Sequence, residues 1–133
     1  MEHMNRARRF ARLAAVTAAT VVVFAACGGG GGGSSYKQPT GPAQTTIEVS
    51  GHNFAFDPNN ITAPAGVDAI TLSSTDAMHT LVFDGGKAPG FKLQASSGKS
   101  DQLKVNLKPG TYTFYCTIPG HREAGMQGTL TVT

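Results

Sequence analysis

Past Cys27, six side chains have the donor chemistry to hold a soft metal: His52, Met78, His79, Cys116, His121 and Met126. Three of them fall on one stretch, Cys116-Thr117-Ile118-Pro119-Gly120-His121-Arg122-Glu123-Ala124-Gly125-Met126, with the spacing C-x4-H-x4-M. Pro119-Gly120 supplies a tight turn and Gly125 permits a second change of direction. One loop between two strands can therefore aim a thiolate, an imidazole and a thioether at a common centre. A fourth donor must come from elsewhere, and His79 is the natural candidate. It opens His79-Thr80-Leu81-Val82-Phe83, a strand pattern whose odd positions face a core. Two imidazoles, one thiolate and a weak axial thioether are the donors of a blue-copper electron-transfer site. Cu(II) prefers nitrogen and Cu(I) prefers sulfur, so a mixed set on a stiff frame serves both with little rearrangement. A structural zinc site would use more thiolates, and a catalytic zinc site keeps a position open for water.

Each residue also has an ordinary reading. A single histidine near a strand end is usually a hydrogen-bonded polar residue, and a single methionine is usually core. Cys116 shares parity with Tyr112 and Phe114, so a buried inert thiol is its ordinary role. No disulfide framework is available, because the only other cysteine is Cys27. The joint pattern of donor types, spacing and turn residues outweighs these readings for His79, Cys116, His121 and Met126. His52 has no such support and is expected to be structural. Met78 lies on the opposite strand parity to His79 and is expected to pack.

These donors need a frame, and the chain is long enough for one. Its 133 residues are 40% hydrophobic and 14% charged, with 17 glycines and no tryptophan, which excludes a wholly disordered protein. Residues 1–26 carry Arg6, Arg8, Arg9 and Arg12 followed by an apolar run from Leu13 to Phe24, the pattern of an export signal. That run is short for a membrane-spanning helix, which needs about 20 residues. Beyond Ala26, seven basic residues meet seven acids. The overall charge of +3 and pI of about 9.1 therefore belong to the leader. They are no argument for nucleic acid as a partner.

Residues 27–45 read as Cys27 followed by a flexible Gly/Ser/Pro tether, spanning roughly 25 Å as a coil. From Thr46 the pattern turns to short alternating runs: Ile47-Glu48-Val49, His52 to Phe56, Ile61-Thr62-Ala63, Asp68 to Ser73, Met78 to Phe83, Phe91 to Ala95, Asp101 to Leu107, Thr111 to Cys116 and Thr129 to Thr133. Phe54 and Phe56 are expected to share a face. Turn residues recur every 8–12 positions, and no segment sustains an apolar period of 3.6. This predicts one all-β domain over 46–133, an antiparallel Greek-key β-sandwich or barrel of about eight strands.

Two resemblances sharpen these expectations. Phe24-Ala25-Ala26-Cys27 resembles the lipobox of bacterial lipoproteins, which implies lipidation at Cys27, although Phe24 stands where that pattern usually has Leu. Conventional cleavage after Ala25 is the alternative. Asn53-Phe54-Ala55-Phe56-Asp57-Pro58, Pro64-Ala65-Gly66, Met78-His79-Thr80-Leu81-Val82-Phe83 and the stretch from Tyr115 to Met126 resemble the cupredoxin family over essentially the whole domain. The loop is closest to those of auracyanin and rusticyanin. The resemblance implies a Greek-key sandwich with one copper ion near one end, held by His79, Cys116, His121 and Met126. Many members carry Asn directly after the first His, where it fastens the ligand loops. Here Thr80 stands in its place, so the fastening would rest on a hydroxyl or on backbone bonds.

The function so implied is a monomeric, non-enzymatic one-electron carrier, exported and lipid-anchored outside the cytoplasmic membrane. Redox partners would dock near the surface edge of His121, around Pro119, Gly120, Ala124 and Ala88-Pro89-Gly90. A domain without net charge implies weak electrostatic steering of those partners. The alternative is a copper storage or delivery protein, although its usual Met-rich or His-rich tracts are missing. Copper enzymes need further His ligands, which the three histidines past the leader cannot supply.

Overall fold

The computed structural model describes residues 35–133. The leader and the lipidation site expected at Cys27 lie outside them. Nine strands form in chain order: β1 (Thr45–His52), β2 (Ala55–Asp57), β3 (Asn60–Ala63), β4 (Gly66–Ser74), β5 (His79–Phe83), β6 (Leu93–Ala95), β7 (Ser100–Leu107), β8 (Gly110–Tyr115) and β9 (Gln127–Val132). One sheet runs β2-β1-β4-β7 and the other β3-β9-β8-β5-β6. The all-β sandwich expected from the alternating runs is what forms. It is not purely antiparallel, because β1 lies parallel to β4 and β3 parallel to β9. Alternation reports which face of a strand is buried and carries no information about its direction.

The core is the sum of the inward parities. Ile47 and Val49 of β1, Ile70 and Leu72 of β4, Leu81 and Phe83 of β5, Phe114 of β8 and Leu130 and Val132 of β9 are all buried in one cluster. Each such side chain contributes about 2 kcal/mol by leaving water. Gly128 lies opposite Phe114 in the β8–β9 register, and a Cβ there would collide with the Phe114 ring. The strand that carries the chain away from the ligand loop is therefore shaped to admit that aromatic.

Two sequence expectations are corrected here. The run His52 to Phe56 is not one strand. It breaks at Asn53-Phe54 into a two-residue hairpin turn in which His52 pairs with Ala55. Both turn residues have positive φ, 47° and 58°, which suits the right-handed twist of the paired strands. In consequence Phe54 does not share a face with Phe56: Phe56 is core, and Phe54 is 52% exposed. The second correction concerns the expected tether. Residues 36–44 are laid against the domain rather than free. Tyr36 packs edge-on against Phe91 and donates its hydroxyl to the Lys104 carbonyl at 3.0 Å. Lys104 in turn donates its backbone N–H to Gln38 and its ammonium to the Gly41 carbonyl. Gln44 bonds to the Val67 and Ala65 carbonyls. A polar, Pro- and Gly-containing segment thus satisfies the open edge of β7 and caps the start of β4.

Candidate metal centre

Strand β8 delivers Cys116 from its end, and the following loop returns the chain to β9 through Met126. That loop is fixed by its own backbone. Cys116 donates its N–H to the Met126 carbonyl at 3.1 Å, Met126 to His121 at 3.0 Å, and His121 to Ile118 at 3.0 Å. Gly120 and Gly125, with φ of 83° and 106°, sit where the loop turns through backbone space closed to most residues. Strand β5, antiparallel to β8, begins with His79 at the same end of the sandwich.

The donor atoms of His79, Cys116 and His121 all lie within 4.8 Å of one another. Cys116 Sγ and His121 Nδ1 are 3.6 Å apart. His79 and Cys116 are each 1% exposed and Met126 is fully buried, while His121 is partly open. A Cβ on Gly51 would come within 3.0 Å of the His79 ring and 3.1 Å of the Met126 methyl, so both side chains close on β1 at one point. The four residues expected as ligands are thus gathered from β5, β8 and the connecting loop. His52, expected to be structural, has no place in this cluster of donor atoms. Met78 departs from expectation, because its side chain is 44% exposed instead of packed.

The donor chemistry fits a copper ion. His79 Nδ1 is buried without a hydrogen-bond partner, a costly state for an imidazole nitrogen unless it has a ligand to bind. The other ring nitrogen is occupied, since Nε2 lies 2.8 Å from Asp76 Oδ1. Asp76 also accepts the backbone N–H groups of Ala77 at 2.8 Å and Asn53 at 2.7 Å. The bond from Asn53 is the largest cause holding the Asp76 carboxyl far below the ordinary carboxylate range, with His79 next. The Cys116 sulfur accepts the Thr80 N–H at 3.4 Å and the Thr80 hydroxyl at 3.6 Å. Such bonds tune a thiolate–copper centre.

Thr80 performs the fastening expected of it. Its hydroxyl oxygen accepts the Thr117 N–H at 2.7 Å and sits 2.8 Å from the Thr117 hydroxyl, joining β5 to the ligand loop. A second tie lies further out. Arg122 reaches Asp84 at 2.7 Å and stacks over the Tyr115 ring at 3.9 Å. Its guanidinium bond holds the Asp84 carboxyl below the ordinary carboxylate range.

Beside His121 the structure adds an aromatic from the β1–β2 turn. Phe54 sets its ring edge-on against His121, with centroids 4.9 Å apart. Pro119, Gly120 and Ala124 are exposed in the loop, and Gly90 lies beside Tyr36. Phe54, Asp76 and Gly51 are the site residues that sequence reasoning missed. Only Asn53-Phe54 carried a signal: Asn is a favoured first residue of a two-residue hairpin turn, and Phe stands where Gly is preferred.

Comparison with known proteins gives a consistent picture. The profile of the copper-binding proteins of the plastocyanin/azurin family matches residues 40–133. A plastocyanin from Dryopteris crassirhizoma is 40% identical over 94 residues, covering 60% of this chain and 89% of the relative. Auracyanin-B from Chloroflexus aurantiacus is 34% identical over 83 residues, covering 62% of this chain. That match spans only 35% of the auracyanin-B length. Among solved structures, the dithionite-reduced auracyanin of Roseiflexus castenholzii superposes with a TM-score of 0.59 at 28% identity, covering 69% of this chain and 99% of that one.

Proposed function

The chain belongs to the plastocyanin/azurin family of copper-binding proteins, and on that premise we propose that it is a blue copper one-electron carrier working outside the cytoplasmic membrane. The observation that carries this reading is the assembled donor set: two imidazoles and one thiolate with donor atoms within 4.8 Å, and a buried thioether beside them. When bound there, copper supplies a reversible one-electron couple. The chain's own residues keep the site rigid and dry. The backbone bonds of the ligand loop and the Thr80 hydroxyl hold Cys116 and His121 in one arrangement, so a change of charge meets little reorganisation. Burial of His79, Cys116 and Met126 excludes water from all sides but one.

The remaining side is His121, and it gives electrons their way in and out. Redox proteins dock there on an apolar rim of Phe54, Pro119 and Gly120, and the protein works as a monomer. The Arg-rich leader and the lipobox-like Phe24-Ala25-Ala26-Cys27 support export and lipid anchoring at Cys27. A carrier, not an enzyme, is the reading this donor set favours, because His79, Cys116 and His121 are the one group of metal-ligating side chains gathered among the described residues and His52 stands apart from it.

The test is the visible spectrum of the purified protein with one equivalent of Cu(II). An intense thiolate-to-copper band, bleached by a mild reductant and absent in Cys116→Ala, is expected. Copper bound without such a band would overturn the carrier and favour storage or delivery of the metal.

A further inference from the structure

The outer partners of the two imidazoles meet at one carboxylate. An ionised carboxylate can only accept hydrogen bonds, so the 2.8 Å contact to Asp76 puts the His79 proton on Nε2. In a neutral ring this leaves the lone pair on Nδ1, the buried nitrogen that has no other partner. The opposite oxygen of the same carboxylate, Oδ2, accepts the Asn53 N–H at 2.7 Å. Asn53 and Phe54 form the β1–β2 turn, and both have positive φ. For a residue as bulky as Phe this is an outlier that its surroundings must enforce. Nothing in the core calls for Phe54, whose ring is half in solvent and rests edge-on against His121. The strained backbone is tied on one side to Asp76 and presents on the other an aromatic that braces the exposed ligand.

We propose that Asp76 is a positioning residue for both imidazole ligands, fixing His79 directly and His121 through the Asn53–Phe54 turn and the Phe54 ring. The inference rests on the copper-site reading above and adds to it the group that sets the two imidazoles relative to each other. Two oxygens give it two separable arms. Oδ1 serves His79 and Ala77, and Oδ2 serves Asn53. An asparagine can present one acceptor to His79, but its amide then faces the Asn53 N–H with a donor.

The experiment compares the wild-type protein with Asp76→Ala, Asp76→Asn and Phe54→Ala, first free of metal. Imidazole nitrogen NMR reports which nitrogen of His79 is protonated, and ring-to-ring NOEs report the contact of Phe54 with His121. Wild type is expected to show His79 protonated at Nε2 with the contact present. Asp76→Ala loses the Phe54 contact and the hydrogen bond of the His79 Nε2 proton, read as an upfield shift and faster exchange with water. Its Cu(II) affinity falls roughly 10- to 100-fold, the usual consequence of removing an outer partner of a ligand. Asp76→Asn, nearly the same shape and the variant to rely on if the alanine fails to fold, keeps the His79 proton in place and loses the Phe54 contact. Phe54→Ala keeps His79 protonated at Nε2. With copper bound, Asp76→Ala and Asp76→Asn both raise the reduction potential, because a negative charge has left the ligand's outer face. A His79 Nε2 proton in Asp76→Ala as far downfield and as slow to exchange as in the wild type overturns the first arm, and an intact Phe54 contact in Asp76→Asn overturns the second. The metal-free readouts stand even if the copper-loaded protein shows no blue band, so the two readings fail separately.

Discussion

Among the described residues, three buried side-chain atoms lack a hydrogen-bond partner, and they lie at opposite parts of the sandwich. One is His79 Nδ1, at the end where Cys116 and His121 converge. The other two are the carboxylate oxygens of Asp68 on β4, whose chain neighbours across the sheet are Thr45 and Val105. Six positions of strand separate Asp68 from Ser74, the β4 residue level with Gly51 and the metal end, a run of roughly 20 Å. An orphan polar atom costs about 1–3 kcal/mol wherever it sits. The difference is company. His79 Nδ1 shares its space with a thiol and a second imidazole, and its far side is tied to a carboxylate. Asp68 has only the Gln44 amide close enough to offset its burial in part. An unsatisfied atom signals a ligand site when other donors face it, and otherwise signals a cost carried by the fold.

That contrast can be broken most forcefully by adding metal. A ligand that binds only the native state stabilises it by about 4 kcal/mol at a thousandfold excess over its Kd. For a domain of this size such a gain raises Tm by more than about 10 °C. Calorimetry with one equivalent of Cu(II) should show that rise in the wild type, and Cys116→Ala should lose most of it. An equal rise in both proteins would mean that copper binds elsewhere.

A smaller effect is expected from Gly51→Ala. The added methyl meets the His79 ring at 3.0 Å and the Met126 methyl at 3.1 Å, tighter than ordinary packing allows. No unusual φ accompanies Gly51, so the penalty is steric and falls on the ligands. Overpacking of this kind costs about 1–3 kcal/mol, which at the metal site reads as a loss of Cu(II) affinity on the order of tenfold or more. Titration against a competing chelator measures it. Unchanged affinity would show that His79 and Met126 have room the structure does not give them.

The two ends also differ in how far the sequence displays them. Cys116, His121 and Met126 were legible because one loop carries three donor types with turn residues between them. His79 was legible because a strand pattern began on it. Most of the strands followed from alternation, about eight being expected where nine form, and the failures follow from what alternation omits. It says nothing of direction, so the parallel pairing of β1 with β4 was hidden. It cannot see a turn made of Asn53 and Phe54, because the usual glycine is missing. Asp76 was invisible for another reason. It sits in a polar stretch, Ser73-Ser74-Thr75-Asp76-Ala77, and gains its meaning from Asn53, 23 positions away. Long-range partners of single polar atoms leave no local pattern. The segment 36–44 was misread in the same way, since composition suggests a free coil and its bonds to Lys104, Val67 and Ala65 are all distant in sequence.

The smallest effect concerns the orphan that has no ligand to wait for. Burial pushes the Asp68 carboxyl up from its ordinary value, against a partial lowering by Gln44. The native state therefore holds this proton more tightly than the unfolded chain does. Its contribution to stability is fully present below the ordinary carboxylate pKa and is lost as pH rises through the raised native value. Asp76 and Asp84 run the other way. Both are held low, so their contributions are present above the ordinary carboxylate pKa and disappear as pH falls through their lowered native values. Total stability against pH thus mixes opposing slopes. The difference between Asp68→Asn and the wild type isolates one of them. The amide cannot ionise, so near pH 7 the variant should melt a few degrees higher, a change of about 1 kcal/mol or less. That advantage should shrink toward zero as pH falls to about 4, where the wild-type carboxyl is also neutral. Thermal melts of the metal-free proteins across this range read it directly. A difference that stays flat with pH would mean that Asp68 has a partner in solution, and that the contrast between the two orphans is one of degree.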